Sequence, residues 1–310
     1  MKLFLPDQLK HEDDMKIKTT EIVDTFAEAF KMYGSRVIIT AETKEWAMAA
    51  AQSITGFATS VIGCKCEAGI EAEIPAEESP DLRPGVSVLI FAMDAESLGK
   101  RLMERVGQCV MTCPTTACYN GLDEGTAVTV GGQLRYFGDG HQISKVIGDN
   151  KFWRIPVMDG EFLVDDKFNV KESVGGGNIL ILGKDQKATL RAASAATKAM
   201  RQLSDIILPF PNGVVRSGSK VGSKYKALIA STNHAYCPSL RGVVKKSELG
   251  DGINSVLEIV IDGLSLEAVE EAMRVGMEAA AKPGIKQISA GNYGGDLGQY
   301  HIKLHQLGAA

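Results

Sequence analysis

One local pattern recurs four times along the chain and limits the folds open to it. "RVIIT" (36–40) reads as a strand, "AETKEWAMAAAQSITGF" (41–57) as a helix and "TSVIGC" (59–64) as a strand. "GVSVLIFAM" (85–93), "DAESLGKRLMERVGQ" (94–108) and "CVMTC" (109–113) repeat the order. After the midpoint come "NILILG" (178–183), the Ala-rich "KDQKATLRAASAATKAMRQL" (184–203) and "DIILPF" (205–210). "VLEIVI" (256–261), "SLEAVEEAMRVGMEAAA" (265–281) and "IKQISAG" (285–291) close the series. Capping residues mark helix starts: Asp94 with Ser97, Asp185, and Ser265 before Glu267. Gly284, after Pro283, marks the end of the last helix.

Two strand–helix–strand units in tandem build a split β-α-β module. The chain therefore reads as α+β: two ferredoxin-like lobes related by internal duplication. A long doubly wound parallel sheet is the competing topology. Residues 131–164 alternate and are rich in turn formers, so they are expected to form hairpins joining the halves. The boundary falls near Gly160. This gives a first lobe at 15–160, a second at 161–310, and an extension at 1–14.

A chain of 310 residues has length for two such cores. No apolar run approaches the roughly 18 residues of a membrane helix. "MKLFLPDQLKHEDD" is broken by Pro6 and turns acidic, unlike a secretory signal, so a cytoplasmic location is expected. Net charge is −4, which argues against general nucleic-acid binding. The six cysteines, in C-x-C and C-x3-C-x4-C spacing plus Cys237, match no common zinc or cluster pattern and are expected to be reduced.

Motifs of common chemistry are missing: there is no H-E-x-x-H, P-loop or G-x-S-x-G. Ser217 and Lys220 form an S-x-x-K without its usual partners. His301 and His305 sit four apart, but strand-like alternation puts them with Lys303 on one polar face. Three glycine-rich loops, at 174–178, 210–226 and 290–298, suit close backbone approach to a ligand or simply tight turns. Arg216, Lys220, Lys224 and Lys226 cluster in the second, as a carboxylate or phosphate site or as a solvated loop. Glu258 is the anomaly: five of the six residues from Val256 to Ile261 are aliphatic, and it interrupts them. A buried carboxylate is costly unless paired, hydrogen-bonded or protonated. General acid–base work and a structural ion pair both remain open.

Longer stretches carry a family resemblance. They are "DTFAEAF" (24–30), "CEAGIE" (66–71), "MERVGQCVMTCPTTA" (103–117), "YFGDG" (136–140), "PVMDGEFLV" (156–164), "GGN" (176–178), "PFPNGVVRSGSKVGSKYK" (209–226), "LEIVIDG" (257–263) and "GNYGGDLG" (291–298). In these, from about Met15 to Leu307, the chain resembles formylmethanofuran:tetrahydromethanopterin formyltransferases, the archaeal enzyme or the homologous subunit of the bacterial formyltransferase/hydrolase complex. The resemblance implies two ferredoxin-like lobes, a homotetramer, and formyl transfer between methanofuran (or an analogue) and N5 of tetrahydromethanopterin. It implies no metal and no permanently bound cofactor, the two carriers being cosubstrates. It places the family's catalytic glutamate at Glu258. Substrate contacts are expected from Ser219, Lys220, Lys224, Tyr225, Asn233, Asn292 and Tyr293. The lysines would hold the glutamate-rich tail of a methanofuran. Formyl-hydrolase subunits are candidate partners.

Three departures stand out: the fourteen residues before Met15, Asn212 where the family has glycine, and a lysine loop one residue shorter. The resemblance leaves the physiological direction open. A non-catalytic assembly subunit and a small-molecule sensor remain alternatives of another class.

Overall fold

The computed structural model describes residues 15–308; the extension at 1–14 lies outside the described residues. The fold is mixed α/β, with one fifteen-stranded mixed sheet among the described residues.

Each half repeats one arrangement. In the first, strand Phe26–Thr40, helix Lys44–Thr55, strands Glu67–Ile74 and Gly85–Ala92, helix Ala95–Arg105 and strand Ala117–Asn120 follow in order. Their strands lie side by side as 67–74, 85–92, 26–40 and 117–120, all antiparallel. The second half runs Lys167–Gly183, helix Gln186–Met200, Ile206–Ile207, Ser255–Gly263, helix Leu266–Ala280 and Ile285–Ser289. Its strands repeat the same spatial order with the same antiparallel sense. Antiparallel neighbours exclude the doubly wound parallel alternative.

The halves are joined along their first strands. Lys171–Gly175 pairs antiparallel with Phe30–Gly34. Each half also lends a strand to the other. Thr126–Thr129 pairs with Lys167–Val170, and Tyr300–Lys303 pairs with Phe26–Ala29. Of the hairpins expected over residues 131–164, those of residues 143–165 form on the far edge, whereas Gly131–Gly138 are two short helical turns instead.

Helix caps explain the helix starts. Asp94 accepts the Ser97 N–H (2.7 Å), Asp185 the Ala188 N–H (2.7 Å) and Ser265 the Ala268 N–H (3.2 Å). Behind the strands of each half lies a large apolar cluster: Ile54, Leu98, Leu102 and Val164 belong to the first, Ile179, Ile259, Ile261 and Met273 to the second. The Gln186–Met200 and Leu266–Ala280 helices touch so closely at Gly276 that a Cβ there would collide with Met200 Cε.

Two local expectations are corrected. "TSVIGC" is not a strand. Ser60 Oγ accepts the Ile62 N–H (3.3 Å), Val61–Cys64 form one helical turn, and Lys65 ends it in left-handed backbone (φ 69°). The strand begins at Glu67. "CVMTC" instead continues the preceding helix as a widened turn, with Met111 N–H bonding Val106 O at 2.9 Å. The strand expected there is Ala117–Asn120. Among the described residues no helix is long and apolar enough to cross a membrane.

Candidate active site

Strand Ser255–Gly263 alternates as its sequence dictates. Ile259 and Ile261 face the second core, while Val256, Glu258, Val260 and Asp262 share the other face. Glu258 is held on both backbone edges: it pairs with Leu180 on one side and exchanges two hydrogen bonds with Val215 (2.7 and 2.9 Å) on the other.

Two cavities meet at Glu258. One, of about 440 Å³, is polar and is lined by Arg216, Lys220, Asn233, Cys237, Glu248 and Asn292 among others. The other, of about 540 Å³, is mostly apolar, with Phe30, Met32, Ile62, Met93, Phe210 and Leu297 in its walls. Glu258 lines both, together with Asn178, Ser217, Ser219 and Tyr293. Desolvation raises the Glu258 carboxyl to about 7, and no counter-charge opposes it. Burial and the neighbouring Glu258 also push the Tyr293 phenol above its ordinary value, and Ser219 lines both cavities with it.

Of the residues singled out in the sequence, Glu258, Ser219, Lys220, Asn233, Asn292 and Tyr293 converge on the polar cavity. Lys224 and Tyr225 stand outside both cavities, beyond strand Ser219–Val221 in the exposed connection of a two-stranded hairpin. The Lys220 ammonium bonds the Gly222 carbonyl (3.4 Å) rather than Ser217, so no serine–lysine dyad forms. His301 packs against Phe26 with ring centroids 4.9 Å apart and planes tilted by 42°, and His305 bonds the Ile22 carbonyl (2.8 Å). No three His, Cys, Asp or Glu among the described residues are grouped to hold a metal ion. All six cysteines carry free thiols.

Sequence reading missed Asn178. Its Oδ1 accepts the Gly291 N–H (2.6 Å), and its Nδ2 donates to the Gly176 and Gly291 carbonyls (3.1 Å each). It thus fixes the start of the loop that carries Asn292 and Tyr293. The only signal was its place in "GGN", where a glycine-rich stretch gives way to the strand "NILILG".

Comparison with known proteins bears on this arrangement. The family model described as formylmethanofuran-tetrahydromethanopterin formyltransferase matches residues 15–157, and that described as the FTR proximal lobe matches 160–307. The chain belongs to the formylmethanofuran–tetrahydromethanopterin formyltransferase family. Membership places it among formyltransferase enzymes. A family member from Methylobacillus flagellatus is 58% identical over 94% of this chain and 99% of its own length. The formyltransferase from Methanosarcina barkeri superimposes with a TM-score of 0.90 at 47% identity, covering 94% of this chain and 100% of that one. A chain of the formyltransferase/hydrolase complex from Methylorubrum extorquens, solved with methylofuran, gives 0.92 at 48% identity over 95% and 99%.

Proposed function

We infer that this protein transfers a formyl group between formylmethanofuran, or a methanofuran analogue, and N5 of tetrahydromethanopterin, in a ternary complex. The observation that carries the reading is the Glu258 carboxyl, titrating near 7 where a polar and an apolar cavity meet.

In the forward sense N5 attacks the formyl carbon and a tetrahedral species forms. The Glu258 carboxylate takes the proton released from N5. The resulting acid returns it to the methanofuran nitrogen as the C–N bond breaks. No enzyme nucleophile is needed, because both carriers are held together. The protonated Tyr293 phenol and Ser219 supply donors toward the developing oxyanion. Lys220 in the polar cavity, with Lys224 nearby on the hairpin, holds carboxylates of the methanofuran tail.

The repeated strand order supports reading the halves as ferredoxin-like lobes, divided near Gly160 and derived from one duplicated unit. A cytoplasmic homotetramer with no permanently bound cofactor, able to join formyl-hydrolase subunits, completes the proposal.

The test is direct. Purified protein mixed with a formyl donor and a tetrahydropterin should change pterin absorbance. Glu258→Gln should lower kcat roughly 100-fold or more while the fold persists. Near-normal turnover by that variant would overturn the reading.

A further inference from the structure

The stretch "GNYGGDLG" (291–298) reads, in sequence, either as a loop for close backbone approach to a ligand or as tight turns. Four of its amides are already occupied by one side chain from within the chain. Glu28 Oε2 accepts the N–H groups of Tyr293 (2.6 Å) and Gly295 (2.9 Å). Its Oε1 accepts those of Leu297 (2.6 Å) and Gly298 (2.6 Å). The glycines are the means of this wrapping. Gly294 and Gly295 adopt φ of 81° and 84°, which turn the N–H groups inward. A Cβ on Gly298 would lie 2.5 Å from the Ala29 carbonyl oxygen.

Glu28 is 1% exposed. Burial alone would raise its carboxyl, yet the four amides outweigh that and hold it at about 2. It is therefore charged at every working pH. It belongs to strand Phe26–Thr40 in the first half of the chain, and the loop belongs to the second. From the same strand, the Phe30 ring packs against Tyr293 with centroids 6.1 Å apart. Carboxylate and ring together grip the residue that stands beside Glu258.

We propose that Glu28 is a positioning residue for formyl transfer: it folds the 291–298 loop around its carboxylate and so holds Tyr293 at the junction of the two cavities. The proposal rests on the reading of Glu258 as the centre of transfer. Glutamine is no substitute here, because its amide nitrogen would face two N–H donors and leave them unpaired.

Three measurements test it. In Glu28→Gln without substrate, amide hydrogen exchange at 293–298 should accelerate at least about tenfold, while the Gln186–Met200 helix is unchanged. In turnover, Glu28→Gln should lower kcat about tenfold or more, with KM for both substrates within about threefold. Finally, the Glu28→Gln/Tyr293→Phe double variant should be no slower than the slower single variant, since one residue acts through the other. Unchanged exchange, an unchanged kcat or a fully multiplicative double loss would each overturn the proposal. Inactive wild-type protein would refute the transfer reading, whereas the exchange measurement judges the loop anchor by itself. Should Glu28→Gln fail to fold, Glu28→Asp keeps the charge but withdraws the oxygens, and the same three outcomes apply at about threefold size.

Discussion

Glu258 and Glu28 are carboxylates with opposite surroundings, and their titration should differ accordingly. Nothing ionic or hydrogen-bonded supports the charge on Glu258, so it titrates near 7, whereas four amides keep Glu28 ionised. If the Glu258 carboxylate is the base that takes the N5 proton, kcat/KM should rise with pH and level off above an apparent pKa of about 7. Glu258→Gln should lose that inflection; an inflection near the ordinary glutamate value would instead mean a solvated bystander. A second expectation concerns the lysines. Lys220 lines the polar cavity and Lys224 does not, so Lys220→Gln should raise KM for a long-tailed donor about tenfold, and Lys224→Gln by less. Equal effects in steady-state kinetics would count against the cavity as the tail's seat. Glu258 was legible because it breaks an apolar run. Glu28 was not: in "FAEAF" it looks like the solvent face of an alternating strand. What buries it is a loop about 265 residues away, which no local pattern reports.

At the scale of elements, the strand that carries Glu258 carries a second acid on the same face. Asp262 is fully buried; Oδ1 accepts the Gly176 N–H (3.0 Å), and Oδ2 has no donor among the described residues. Facing it is Glu67, whose Oε1 accepts the Val61 N–H (3.0 Å). Burial raises both carboxyls; the Glu67 charge and hydrogen bond raise Asp262 further, whereas the Asp262 hydrogen bond lowers Glu67, so the proton sits on Asp262 and is shared toward Glu67. The sign of the linkage follows. Groups raised in the folded state contribute stability that is complete below their unfolded values, about 4, and is lost as pH rises through the folded ones. Tm should therefore fall as pH rises above about 4. Asp262→Asn donates to the Glu67 carboxylate without needing the proton, so its Tm should depend less on pH; a slope equal to the wild type's would refute the shared proton. The same neighbourhood shows why element boundaries were harder to read than elements. Thr59 to Cys64 is β-prone by composition, but the Ser60 cap and the left-handed Lys65 close a helical turn that packs Val61 against Glu67. Long helices with caps and strands with apolar runs were legible, whereas this turn depends on a contact to another element.

The duplicated order of the whole molecule was legible because each half carries its own periodic strands and helices. The exchange of strands between halves was not, since Thr126–Thr129 and Tyr300–Lys303 are four residues each and pair with partners remote in sequence. That exchange decides how the protein should unfold. Neither half completes its sheet alone: each needs a strand from the other, and the two longest strands pair across the junction. A part-buried ion network crosses it as well. Arg36 of the first half donates to Glu71 (2.7 and 2.6 Å) and to Asp205 of the second (2.5 Å), and Glu71 accepts the Asp205 N–H (2.8 Å). Lobes joined this way should melt as one unit, with calorimetric and van't Hoff enthalpies equal. Residues 15–160 and 161–310 expressed apart should each fail to give cooperative transitions. Arg36→Met would leave the Glu71 carboxylate buried without its cation, at a cost of about 3–5 kcal/mol. It should lower Tm yet keep a single transition, because the strand pairing persists. Two resolved transitions in the wild type would overturn this argument, and two in Arg36→Met alone would mean that the ion network, rather than the exchanged strands, couples the halves.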